Sequence, residues 1–179
     1  IKDVVFLAIM SAVALATCAV MPLVISLQPL IFGISQLVTA LQIGVFFAIG
    51  LYKVRKPGSL LIMALMMGLI QLMMSPPMFL SSVLNGVLIE LIVLLLFRGY
   101  EKDAAVFVAA MLHTPLSLPF NYLYNRLVKG TDSPLAAVAD RAPLAAVGMT
   151  LAVVAVSALG ALIGIKIARE LKKSGVRKK

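Results

Sequence analysis

Two side chains stand apart chemically in an otherwise apolar chain: Glu90, the only acidic residue well inside a predicted membrane crossing, and His113, the sole histidine. An ionisable group within a bilayer is costly unless paired or functional, so Glu90 is a candidate contact for a cationic ring or amine on a ligand. Its alternatives are a buried pair with His113 or a protonated, hydrogen-bonded carboxyl. His113 lies just before Pro115, where proline frees a backbone carbonyl and can bend a helix, and Pro119 repeats the effect one turn later. That geometry suits a helix beside a pocket, although a satisfied packing histidine has the same signature. Around these two lie Gln36, Gln71, Ser81, Asn85, Asn121, Tyr122 and Asn125, most of them in one half of the predicted crossings. Hydrogen-bonding groups avoid hydrocarbon, so these side chains turn inward and either bond one another across helices or line a cavity. Their shared depth favours a cavity that takes a small organic ligand.

Other chemistries lack their residues. The chain has no GxxxxGK phosphate loop, no HExxH, no GxSxG and no cysteine–histidine spacing for a metal, so neither ATP hydrolysis nor another enzymatic activity is expected of it, and neither is a metal or cofactor. Cys18 is the single cysteine, which excludes an internal disulfide. Met63, Met66, Met67, Met73, Met74 and Met78 gather around one predicted helix and its turn, where methionine usually serves as adaptable packing. Together with His113 they would also suit a haem-type ligand, without any attachment motif to support it. One glutamate and one histidine do not make a proton relay, and no inverted repeat is evident, which disfavours a self-sufficient secondary transporter.

The elements that position these residues follow from hydropathy. Of 179 residues, 62% are hydrophobic and 13% charged, with a mean hydropathy of +1.09. Too few polar residues exist to coat a water-soluble globule, and apolar runs of about 20 residues match the roughly 30 Å hydrocarbon core. The runs lack the alternation of a barrel, so the fold class is an all-α integral membrane bundle. Six crossings are predicted, at 4–20, 30–51, 58–74, 78–97, 104–124 and 143–165, in a single domain over 1–179 with a basic tail at 166–179. The first run reads as a retained helix instead of a cleaved signal, because comparable runs follow and no small-residue cleavage site stands out. Prolines, glycines and charges punctuate the connections, of which 125–142 is the longest.

Sorting the sixteen Lys and Arg by connection gives one side Lys2, Lys53, Arg55, Lys56, Arg98, Lys102 and the seven from Lys166 onward, leaving only Arg126, Lys129 and Arg141 for the other. The positive-inside rule makes the rich side, with both termini, cytoplasmic. The net charge of +9 is thus a matter of membrane orientation, with the tail anchored at an anionic leaflet and no nucleic acid implied.

In the first helix, Ala8, Ala12 and Ala16 form a row at four-residue spacing, which lets another helix approach closely, either within the bundle or from a partner. Six helices in under 200 residues, cytoplasmic ends and this alanine row together resemble the S components of energy-coupling factor (ECF) transporters. Arg55-Lys56-Pro57-Gly58, an apolar third helix, then Asn85-Gly86 and Glu90 look like the YkoE-type branch. The resemblance implies a multi-pass subunit of the prokaryotic cell membrane that captures a vitamin or its precursor near the outer surface. It also implies partners: a transmembrane coupling subunit, contacted by Ala8, Ala12 and Ala16, and two ATPase subunits that hydrolyse ATP. The branch implies thiamine or its hydroxymethylpyrimidine precursor, and a cationic thiazolium would give Glu90 a counter-charge role.

The aromatic content departs from that pattern. There is no Trp, and of four tyrosines Tyr52 and Tyr100 fall on the cytoplasmic side, leaving Tyr122, Tyr124 and phenylalanines such as Phe32, Phe79 and Phe120 to stack on a ligand. A structural or assembly subunit without its own ligand, using the alanine row and basic tail for partner contacts alone, is the alternative reading.

Overall fold

The computed structural model describes residues 2–18, 24, 26–27, 30–73, 75–128 and 134–176, the side chains of 134–136, 175 and 176 excepted. Seven helices occur among the described residues: α1 Lys2–Thr17, α2 Ile34–Val54, α3 Ser59–Leu72, α4 Pro76–Phe97, α5 Asp103–Val128, α6 Pro134–Arg141 and α7 Pro143–Val176. The all-α expectation holds for these residues. Four helices, α2, α4, α5 and α7, are long and apolar enough to cross a membrane. The other two predicted crossings are shorter than expected. Helix α1 has 16 residues and α3 has 14, about 24 and 21 Å of rise against roughly 30 Å of hydrocarbon.

Boundaries moved where local chemistry outweighed hydropathy. Helix α2 starts after Gly33, whose φ of 76° suits a residue without Cβ, and α4 starts at Pro76, where a missing N–H costs nothing. Arg55 and Arg98 end α2 and α4 in the left-handed region, each donating its N–H to the carbonyl four residues back. In place of one loop at 125–142, α5 continues to Val128 and α6 fills Pro134–Arg141. Helix α7 runs 34 residues, far past the apolar stretch and into the basic tail, because Ile167-Ala168-Arg169-Glu170-Leu171-Lys172-Lys173 consists largely of good helix formers.

The most extensive helix contact joins α2 to α7. It depends on glycine: a Cβ on Gly160 would lie 2.5 Å from the Leu41 carbonyl oxygen and one on Gly164 2.4 Å from that of Val45, while Gly44 faces the Ser157 carbonyl. Without side chains at these points the backbones come into direct contact, which substitutes for the hydrophobic drive that lipid does not supply. Serines tie the remaining elements together. Ser11 on α1 donates to Met63 O on α3, and Ser82 on α4 donates to Ala64 O on α3. The main core gathers Leu7, Phe47, Leu51, Leu60, Met63, Ile89 and Val93 from α1 to α4 with Val106 and Ala109 of α5.

Basic residues from distant positions meet at one end. Lys56 pairs with Asp3 at 2.6 Å. Asp103, which opens α5, is held by Arg55 from the α2–α3 turn and by Arg169 of α7, the latter at 2.5 Å. At the opposite end, Arg126 of α5 pairs with Asp140 of α6.

Candidate functional site

Helix α2 turns Ser35, Gln36, Thr39, Ala40, Ile43 and Phe47 into the bundle, and α5 turns in Ala110, His113, Thr114 and Leu118. The two faces meet at several levels. Phe47 lies against His113 with ring centroids 4.4 Å apart, and Ala40 packs in a cluster with Leu118 and Val153. Pro115 has no N–H to offer the Met111 carbonyl, and Ser157 of α7 supplies the missing donor at 2.8 Å. Proline therefore docks α5 onto α7 at the level of His113.

On α2, α4 and α5 several polar side-chain atoms are buried with no hydrogen-bond partner among the described residues: Gln42 Oε1, Asn85 Oδ1, both ring nitrogens of His113, and Thr114 Oγ1. Asn85 is 1% exposed, Thr114 3% and His113 4%. An unmet buried donor or acceptor carries a desolvation cost of about 1–3 kcal/mol, and a bound polar molecule removes that cost. The set offers amide and hydroxyl oxygens with an imidazole that, when neutral, has one donor and one acceptor. None of these groups carries a fixed charge.

Glu90 lies elsewhere. Its Oε1 accepts the Gly58 N–H at 2.6 Å and its Oε2 accepts the Tyr100 hydroxyl at 2.9 Å, so its partners come from the turns at the basic end and not from His113. Burial, reinforced by the adjacent Glu90 charge, raises the Tyr100 pKa and keeps its hydroxyl a donor. This carboxylate ties the α2–α3 turn to the α4–α5 turn.

Of the other residues singled out in the sequence, Gln36 is buried and accepts from Ser35 at 2.8 Å, Gln71 is buried near the end of α3, and Ser81 is half-buried beside the buried Ser82. Tyr122 donates to Asp140 at 2.7 Å, and Asn125 donates to Asn121 O at 2.8 Å; all three α5 side chains are half-buried. On α1, Leu7, Ser11 and Ala14 face the core, whereas Ala12 and Ala16 are exposed and Ala8 half-exposed. The alanine row thus looks away from its own bundle. Met63 and Met67 are core packing, and Met73 is 91% exposed. Met74 lies outside the described residues. No group of three metal-ligating side chains occurs among the described residues.

Sequence reading passed over Gln42 and Thr114, which were visible as polar residues within apolar runs. It also missed the Gly160–Gly164 pair, although glycines at four-residue spacing in an apolar helix signal close packing.

Apolar helices of spanning length, an interior with buried polar groups and charges gathered at the ends define a multi-pass integral membrane protein. The chain belongs to the Trep_Strep family, described as hypothetical bacterial integral membrane proteins, whose family model matches residues 1–173. No curated protein and no solved structure matches the chain.

Proposed function

We propose that this protein is the substrate-capturing membrane subunit of an ECF-type importer for a vitamin or related micronutrient. The observation that carries the reading is the set of buried polar atoms without partners on α2, α4 and α5, since polar groups in a bilayer core persist where they serve a ligand or one another. In this reading α1 and α3 cross the membrane with the four long helices, both termini lie in the cytoplasm, and local bilayer thinning accommodates the short pair. The clustering of Asp3–Lys56 and Arg55–Asp103–Arg169 at one end supports that orientation. The outward-facing alanine row Ala8, Ala12 and Ala16 receives the coupling subunit, and two ATPase subunits supply the energy.

The ligand is an uncharged polar molecule in this proposal. Both Glu90 oxygens already accept hydrogen bonds from the protein, so no free counter-charge awaits a thiazolium. Of the two ligands the resemblance implies, the neutral hydroxymethylpyrimidine is the better fit.

The test is thermal unfolding of the purified protein with hydroxymethylpyrimidine, thiamine and a vitamin panel, without ATP. Hydroxymethylpyrimidine at 100 times Kd should stabilise the protein by about 2.7 kcal/mol, and Ala12→Trp should abolish cellular uptake while preserving that shift. No stabilisation by any member of the panel would leave the assembly-subunit reading. That reading draws its support from Gln36, Tyr122 and Asn125, which bond within the chain.

A further inference from the structure

A groove of about 620 Å³ runs between the start of α5 and the basic half of α7. Its floor is apolar, built from Ala104, Phe107, Leu162 and Ile165, and its rim is charged, with Lys166, Arg169 and Lys173 beside Asp103 and Glu170. The depth of each part follows from α7 itself. Residues 143–165 contain no charge, a rise of about 34 Å that fills the hydrocarbon core. Lys166 therefore stands at the boundary, Arg169 and Lys173 one and two turns into the headgroup layer, and Leu162 one turn inside the hydrocarbon.

The rim charges are unequally satisfied. Arg169 is committed to Asp103 through two hydrogen bonds. Lys173 pairs with Glu170 at 2.8 Å, with both side chains largely exposed, an arrangement that competes weakly with a new anion. Among the described residues, no carboxylate lies within salt-bridge distance of the Lys166 ammonium. Meanwhile Leu162, in the floor, is 55% exposed.

We infer that this groove binds one anionic phospholipid, its phosphate on Lys166 and Lys173 and an acyl chain along Phe107 and Leu162. A free phosphate would meet the rim and leave the floor bare, and a zwitterionic lipid would cover the floor without neutralising the surplus positive charge. A lipid with an anionic head satisfies both at the depth where each belongs. The site is separate from the polar interior and does not depend on what that interior carries.

The experiment is native mass spectrometry of the full chain released from nanodiscs of equal phosphatidylglycerol and phosphatidylcholine. The wild type should retain phosphatidylglycerol in preference, and Lys166→Gln/Lys173→Gln should lower that retention about twenty-five-fold, about fivefold per ammonium. Lys53→Gln/Lys56→Gln, at the same end but outside the groove, should retain it as the wild type does. Leu162→Trp fills the floor without changing charge and should lower retention of the same lipid, which tests the site even if the double lysine variant is poorly folded. Equal retention of the two lipids, unchanged retention in both groove variants, or displacement of phosphatidylglycerol by millimolar inorganic phosphate would each overturn the assignment.

Discussion

At Asn85, folding and the proposed ligand binding make opposite demands on one side chain. Its side chain is 1% exposed and its Oδ1 has no partner, so the amide is a cost to the folded bundle unless a ligand meets it. Asn85→Leu should leave the melting temperature unchanged or raised and weaken binding of the stabilising vitamin at least tenfold, read from the same unfolding curves with and without it. A fall in melting temperature with unaltered affinity would mark Asn85 as structural. Its interior position was legible from an isolated amide in an apolar run. The surroundings of Glu90 were not. Hydropathy puts Glu90 two turns inside α4, and nothing local reveals that residues 98–102 fold back to bring Tyr100 to it or that the Gly58 amide arrives from the preceding hairpin. Long-range returns of this kind are set by tertiary packing, which a one-dimensional pattern does not encode.

For the elements, the α2–α7 contact is the most sensitive to change. Gly164→Ala would push a methyl to 2.4 Å from the Val45 carbonyl and 2.7 Å from the Ala48 Cβ, so the helices must separate and lose contact along their length. The expected destabilisation is about 1–3 kcal/mol, measured by thermal unfolding in detergent. Gly148→Ala on the same helix meets nothing within 4 Å and should be neutral or slightly stabilising. Helix existence was readable for the long apolar elements, because such runs in lipid have few alternatives to helix, whereas the short α6 formed where a loop was expected. Helix length was less so: α3 stops after 14 residues and α7 continues through its lysines. Both outcomes arise because hydropathy reports where a chain meets lipid, whereas caps and helix propensity decide where the backbone turns.

For the whole molecule, the distribution of charge carries the most information. Lys56 with Asp3, and Arg55 with Asp103 and Arg169, draw the N-terminal residues, two turns and the last helix to a common face, the face that loop sorting assigns to the cytoplasm. Cysteines introduced at Lys53 and at Lys172 in a Cys18→Ser background should both be protected from an impermeant maleimide in intact cells, and both should react once the cells are permeabilised. Labelling of either one in intact cells would reverse the orientation or the count of crossings. The Lys56–Asp3 bond also holds the Asp3 pKa below its usual 3.8. Its stabilising effect is therefore present above that value and fades as pH falls through the lowered one, and solvent exposure of half or more of each side chain keeps it small at any pH.

Helix α7 is long enough to act as a lever. Its glycines clasp α2 close to the midpoint, and the 16 residues after Gly160, ending at Val176, form an arm of about 24 Å. A pivot of about ten degrees at that fulcrum swings the charged tip by roughly 4 Å. A sub-ångström rearrangement where α2 meets α7 would thus arrive at the basic end enlarged to a displacement of several ångströms.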